Sequence, residues 1–252
     1  MARVRPPTSE QVGVALVVVA AGRNERFGSA VNKLLIPLLG LPVVCHCLRR
    51  FAPVIRPEMT VLVVPQDQEP AFAAALRKAR IRGVTLVAGG PARQDSVALG
   101  LAAVPPVARY VAVQDAARPF ASAALLLQCI EAARKHGSGV AARRVTDTIK
   151  VASKAGRVRS TPDRRTLWAA ETPQVFRREV LVTAYARVCQ RRKQVTDDAQ
   201  AVELLGKPVF LVEHSEDNRK ITFASDLKAA VECRNLENVP TRRSRTRGER
   251  GA

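Results

Sequence analysis

The stretch VVVAAGRNERFGSAVNKLL, residues 17–35, leads from a β-branched apolar run into a loop that holds Gly22, Arg23, Arg26, Gly28 and Lys33. Small residues leave backbone N–H groups unhindered, and fixed cations beside them attract oxyanions, so these residue types suit a phosphate site. Gly22 and Gly28 stand six apart, which matches neither G-x-G-x-x-G nor G-x-x-x-x-G-K-[ST]. A plain turn after a buried strand, with solvated arginines beyond it, satisfies the same residues.

Other polar clusters recur along the chain: GGPARQDS at 89–96 and QDAARP at 114–119, each with Asp and Arg. Cys45, Cys47, Cys129, Cys189 and Cys233 form no C-x-x-C pair, and His46, His136 and His214 are scattered, so neither a zinc site nor a disulfide framework is indicated. No Ser-His-Asp or Cys-His arrangement suggests a protein nucleophile.

The elements that must carry these clusters alternate. Apolar runs at Ala15–Val19, Thr60–Val64, Val84–Val87, Tyr110–Val113 and Val209–Val212 read as strands. Amphipathic segments at Val43–Phe51, Glu69–Arg80, Gln94–Ala103 and Ser122–His136 read as helices, with another from about Arg178. That rhythm predicts a doubly wound α/β sheet, whose ligands lie at the carboxyl ends of the strands. The loops after the first, third and fourth strands would then converge. Between about 143 and 168 the texture changes: Val145–Val151 and Val158–Thr161, joined through SKAG, read as a polar hairpin too poor in apolar residues for its own core. Such a hairpin is either an insertion or an arm that buries its surface on a partner subunit.

With 252 residues, 47% of them hydrophobic, the chain can fill one large core. The expectation is one domain over 1–239 and a basic tail over 240–252, where five Arg face one Glu. The net charge of +19 would draw polyanions, but the basic residues are spread along the chain and aromatics make up only 4%, so specific nucleic-acid recognition is not expected. The apolar run Val12–Ala21 is too short to span a bilayer and lacks the flanks of a signal peptide, which predicts a cytoplasmic protein without membrane attachment.

AAGRNERFG with Lys33, GGPARQDSV, QDAARPF, VTDTIK, DRRTLWAAETPQ, VTDD and DNRKIT follow one another in an order and spacing that resembles the 2-C-methyl-D-erythritol 4-phosphate cytidylyltransferase family of the non-mevalonate isoprenoid pathway. The resemblance runs from residue 12 to about 230. It implies a homodimeric, Rossmann-like nucleotidyltransferase with helices on both sheet faces, which joins CTP to methylerythritol phosphate, releases pyrophosphate and uses Mg2+. On the matching positions, the opening loop would wrap the triphosphate, with Arg26 and Lys33 neutralising its charge. Ala20, Ala21, Gly22, Gly90 and Ser96 would receive the cytidine, although Ser96 alone suits a helix-capping role equally. Asp115 would contact a substrate hydroxyl or lie close to the metal, which is otherwise held by phosphate oxygens and water. Arg118, Thr148, Arg164, Thr172 and Lys220 would hold the sugar phosphate, with Arg164 and Lys220 also catalytic. The hairpin at 143–168 would be the dimerisation arm, carrying Thr148 and Arg164 into the neighbouring site.

Three positions depart from the family pattern. Asn24 stands where Gly is usual, and Asn is the side chain that best tolerates positive φ. Gln114 replaces a His, and Pro91 replaces a polar residue and with it any side-chain contact to the nucleotide there. A sister cytidylyltransferase acting on ribitol 5-phosphate shares the opening loop, and a basic nucleic-acid-associated protein could keep the fold without activity. DAARP speaks against the first. The set Arg26, Lys33, Arg164 and Lys220 speaks against the second.

Overall fold

The computed structural model describes residues 13–22 and 32–237. Its first strand, β1 (Val14–Val19), is VALVVV and buried along its whole length, as a strand covered on both faces requires. A short hairpin of β2 (Pro37–Leu38) and β3 (Leu41–Pro42) leads into α1 (Val43–Phe51). Then come β4 (Thr60–Val64), α2 (Glu69–Lys78), β5 (Thr85–Ala88), α3 (Arg93–Ala102) and β6 (Tyr110–Asp115). β1 pairs in parallel with β4 and β6, and β4 with β5, so the loops after β1, β5 and β6 open at one end of the sheet. Those are the loops that the sequence places together.

The helices take both faces. Within α3, a Cβ on Gly100 would lie 2.6 Å from Val17 Cγ1, so this helix sits close over one face of β1. Leu16, the next residue along the strand, lines a cavity with Leu48 and Phe51 of α1. Adjacent strand residues point to opposite faces, hence α1 and α3 lie on opposite sides.

The second half supplies two strands that the sequence left unread, Ser138–Arg144 and Trp168–Arg177, beside those that it anticipated. After α4 (Ala123–His136), capped by Ser122 Oγ accepting from Leu125 N–H and ended by Gly137 at φ 90°, come β7 (Ser138–Arg144), β8 (Val151–Ala152), β9 (Val158–Ser160) and β10 (Trp168–Arg177). α5 (Arg178–Gln190), α6 (Asp198–Leu204), β11 (Leu211–Glu213) and α7 (Ala224–Glu237) complete the order. β10 runs antiparallel between β6 and β7, so the sheet is mixed, in the order β11-β7-β10-β6-β1-β4-β5. Its pairing with β7 shifts register between Ala170 and Gln174.

The hairpin is shorter than the alternation in the sequence predicts. Residues 145–150 are not strand; only Val151–Ala152 and Val158–Ser160 pair, across a turn closed by Ser153 N–H donating to Arg157 O at 2.9 Å. Exposed backbone with no apolar face has little to hold a longer ladder. β8 and β9 form their own two-stranded sheet, and Ile149, Val151 and Val158 are exposed on the described chain.

Candidate active site

One wall is built from glycines. At the end of β5 a Cβ on Gly89 would lie 2.2 Å from Ala21 Cβ and 2.9 Å from Ser96 Oγ, and one on Gly90 would lie 2.5 Å from Asp95 Cβ. No side chain fits at either position without displacing the loop after β1 or the start of α3. Ala20 N–H donates to Val63 O at 2.7 Å, and a Cβ on Gly22 would meet nothing within 4 Å among the described residues. Ser96 is buried; its hydroxyl accepts from Gly90 N–H at 3.2 Å and donates to Ala92 O at 3.1 Å. It lies inside the first turn and staples the glycine loop, while the N-terminal contact is made by Asp95, which accepts from Ala92 N–H at 3.1 Å. The structure thus brings Ala20, Ala21, Gly90 and Ser96 to one place.

The opposite wall centres on Asp115, the last residue of β6 and 8% exposed. Its Oδ2 accepts from Lys220 Nζ at 2.6 Å and its Oδ1 from Arg93 Nε at 3.1 Å. The Asp115 N–H donates to Thr172 Oγ1 at 3.0 Å. Burial works to raise the Asp115 pKa, but the adjacent charges of Arg93, Lys220 and Arg118 overcome it and hold the carboxyl well below the usual range. Arg93 also reaches Asp198, Nη2 to Oδ2 at 2.8 Å, where the Tyr185 hydroxyl donates to Oδ1. Burial would lower the Arg93 pKa, yet Asp198 and Asp115 leave it raised, so the guanidinium stays charged.

A second carboxylate orders the deeper cations. Glu171, buried in β10, takes Arg143 Nε at 2.8 Å on Oε1, while Arg118 Nη1 lies 3.2 Å and His214 Nε2 3.4 Å from Oε2. Arg118 also donates to Asn218 O at 2.6 Å, and Asn218 Nδ2 donates to Thr172 O at 2.8 Å. Asp115, Arg118, Thr172 and Lys220 are therefore one connected group.

The other candidates divide. Lys33 sits after Asn32, whose Oδ1 accepts from Leu34 N–H at 3.0 Å, and its charge helps to lower the Asp226 pKa behind the backbone N–H donation of Phe223. That places Lys33 beside the segment that follows Lys220. Arg26 lies outside the described residues, as does Asn24. Thr148 and Arg164 are exposed; Arg164 Nη1 donates to Thr146 O at 2.8 Å, and no hydrogen bond or ion pair joins either residue to the Asp115 group among the described residues. Arg93, Asp198, Glu171 and Asn218 were not singled out from the sequence, although all four fall inside the motifs quoted from it.

Chemically this is a cleft of fixed cations and backbone donors that can bind, align and neutralise phosphates. Among the described residues no three His, Cys, Asp or Glu side chains gather to hold a metal. Asp115, at the end of β6, has both oxygens engaged by Arg93 and Lys220, so a divalent cation that takes this carboxylate would replace one of those contacts and complete its shell with phosphate oxygens and water.

A model of the 2-C-methyl-D-erythritol 4-phosphate cytidylyltransferase family matches residues 14–233. A relative bearing that name from Pelotomaculum thermopropionicum is 41% identical over 219 residues, 86% of this chain and 92% of its own. Another from Prochlorococcus marinus is also 41% identical, over 85% of this chain and 95% of its own. Among solved structures, 4-diphosphocytidyl-2C-methyl-D-erythritol synthase from Anaerococcus prevotii superposes with a TM-score of 0.76 at 28% identity, covering 88% of this chain and 98% of its own. The cytidylyltransferase from Thermus thermophilus superposes at 0.73 and 30% identity with the same coverage.

Proposed function

The chain belongs to the 2-C-methyl-D-erythritol 4-phosphate cytidylyltransferase family, and from that premise we propose that it transfers the cytidylyl group of CTP to 2-C-methyl-D-erythritol 4-phosphate in isoprenoid precursor synthesis. A phosphate oxygen of the sugar attacks the α-phosphorus of CTP, the bond to the β-phosphate oxygen breaks, and pyrophosphate leaves. The observation that carries the reading is Asp115, whose two oxygens tie Arg93 at the start of α3, on the nucleotide side, to Lys220 on the other.

A phosphate monoester is largely dianionic at neutral pH and needs no base to become a nucleophile. The barrier lies in bringing two anions together and in the charge that grows on the leaving group, which positioned cations lower. The cytosine rests where Ala20 to Gly22 meet Gly90 and Ser96, a wall whose shape is held by Gly89 and Gly90 packing directly against Ala21, Ser96 and Asp95. Arg26 and Lys33 serve the triphosphate. Arg118, Thr172 and Lys220 hold the sugar phosphate, and the geometry that fixes Arg118 is supplied by Glu171 and Asn218.

The cofactor would be Mg2+, held by Asp115 together with phosphate oxygens and water, and it would supply neutralisation of phosphate charge. The chain acts as a homodimer in which the hairpin at 143–168 brings Thr148 and Arg164 to the partner's site. Their exposure and their separation from the Asp115 group in one chain support this arrangement. Residues 1–239 form one domain and 240–252 a basic tail. The place of action is the cytoplasm; no described helix is long and apolar enough to cross a membrane.

Pyrophosphate release measured over a matrix of CTP, ATP, GTP and UTP against methylerythritol phosphate and ribitol 5-phosphate tests the proposal. CTP with methylerythritol phosphate should far exceed every other pair. Equal turnover of both sugars overturns the sugar assignment, and no turnover with any pair overturns the activity.

A further inference from the structure

β6 links two ends of the molecule. Asp115 closes it at the catalytic cleft; Tyr110, five residues back and therefore about 16 Å away, opens it at the other end. There a cavity of about 550 Å3 is lined by Arg109, Arg134, Arg177 and Arg178 with Glu179. Register and backbone bonds force the convergence: Arg177 pairs with Tyr110 across the sheet, and Arg178 N–H donates to Arg109 O at 2.8 Å.

The cations are under-neutralised. Arg134 pairs with Glu131 at 2.7 Å, but among the described residues Arg109, Arg177 and Arg178 have no carboxylate partner, and the buried Arg178 Nε has no hydrogen-bond partner at all. Glu179 is the opposing charge on the wall. The thirteen-residue helix α5 begins here without a side-chain cap, so its first N–H groups and the positive end of its dipole add to the arginines. Arg109 and Arg177 are exposed and Arg178 half-buried, so their guanidinia are accessible to a ligand, and their planar forks match phosphate oxygens.

Arg178 also lines a second cavity, of about 260 Å3, between α3 and α5. Ala98, Leu101, Val182 and Ala186 give it an apolar lining. Val182, 40% exposed, presents an aliphatic surface to solvent. The charged and apolar spaces meet at one residue.

We propose that this end of the protein binds a small organic diphosphate carrying an apolar chain, with its head among Arg109, Arg177 and Arg178 and its chain along the α3–α5 groove. The arginine cluster shares no residue with the Asp115 group, and the α3–α5 groove meets that group's surroundings only at Tyr185, whose hydroxyl donates to Asp198.

Calorimetric titration of the full chain with geranyl diphosphate tests the proposal. Arg109→Ala/Arg177→Ala and, separately, Val182→Glu should each weaken binding about tenfold, while Lys220→Ala should change it by less than about twofold. Inorganic pyrophosphate should bind this site about tenfold more weakly than the ester. Because Val182 is a surface position, its variant keeps the test decisive even where the arginine pair unfolds. Turnover of the arginine variant should equal that of the parent. Binding lost in Lys220→Ala but kept in the other two variants would place the ester in the catalytic cleft and overturn the proposal. So would equal affinity for inorganic pyrophosphate, or absence of saturable binding. Sedimentation with phosphatidic-acid vesicles that is stronger than ester binding and lost in the same variants would also overturn it, assigning the surface to a membrane.

Discussion

Arg93 Nε and Asp115 Oδ1 lie 3.1 Å apart, joining the first residue of α3 to the last residue of β6. The same guanidinium holds Asp198 from α6, so one side chain fixes the carboxylate that in turn holds Lys220.

Arg93→Lys keeps the charge but lacks the planar fork that meets both carboxylates. We expect kcat to fall at least about tenfold. The stability should fall by about 2 kcal/mol, because an ammonium cannot keep the charge-assisted hydrogen bonds to both Asp115 and Asp198. Urea unfolding and steady-state rates on the same preparation check both; unchanged values would show that Arg93 is only a surface residue.

Asp115 sets a pH dependence. Its carboxyl is depressed in the folded protein, so its contribution is complete above the unfolded value of about 4 and is lost as pH falls below it. The wild-type unfolding midpoint should therefore drop on acidification through that range, and Asp115→Asn should show a shallower slope. Parallel slopes for the two proteins would contradict the assignment.

Much of this arrangement can be read from the sequence. β1, β4, β5 and β6 are short apolar runs, and the glycine loop and Asp115 follow them directly, so pattern alone locates their end of the sheet. β10 escapes because its inner residues include Glu171, Thr172 and Gln174, buried polar groups satisfied by partners from distant segments. The pairing of Arg93 with Asp198 spans 105 positions, and only the fold brings them together. The extent of the hairpin fails for the opposite reason: alternation is present, but there is no core to stabilise a ladder.

Glu171→Gln tests the deeper cations. Loss of the carboxylate's charge weakens its hold on Arg118 and Arg143, so KM for the sugar phosphate should rise about tenfold while KM for CTP changes by less than about twofold. Equal increases for both substrates would point to a general loss of fold.

The arm is tested by complementation. Lys220→Ala and Arg164→Ala homodimers should each be nearly inactive. After joint unfolding and refolding, about half the dimers are mixed and hold one intact site each, so activity should recover to roughly one quarter of wild type. With subunit exchange confirmed by a tag, a mixture no more active than the average of its parents would place Arg164 in its own chain's site or outside catalysis.

The most direct test of the central claim is the rate of 4-diphosphocytidyl-2-C-methyl-D-erythritol formation from CTP and methylerythritol phosphate, in the wild-type protein and in Lys220→Ala. The product should appear in step with pyrophosphate in the wild type, and kcat should fall at least about 100-fold in the variant while its thermal unfolding remains cooperative. Product formed at an undiminished rate by Lys220→Ala would contradict the account.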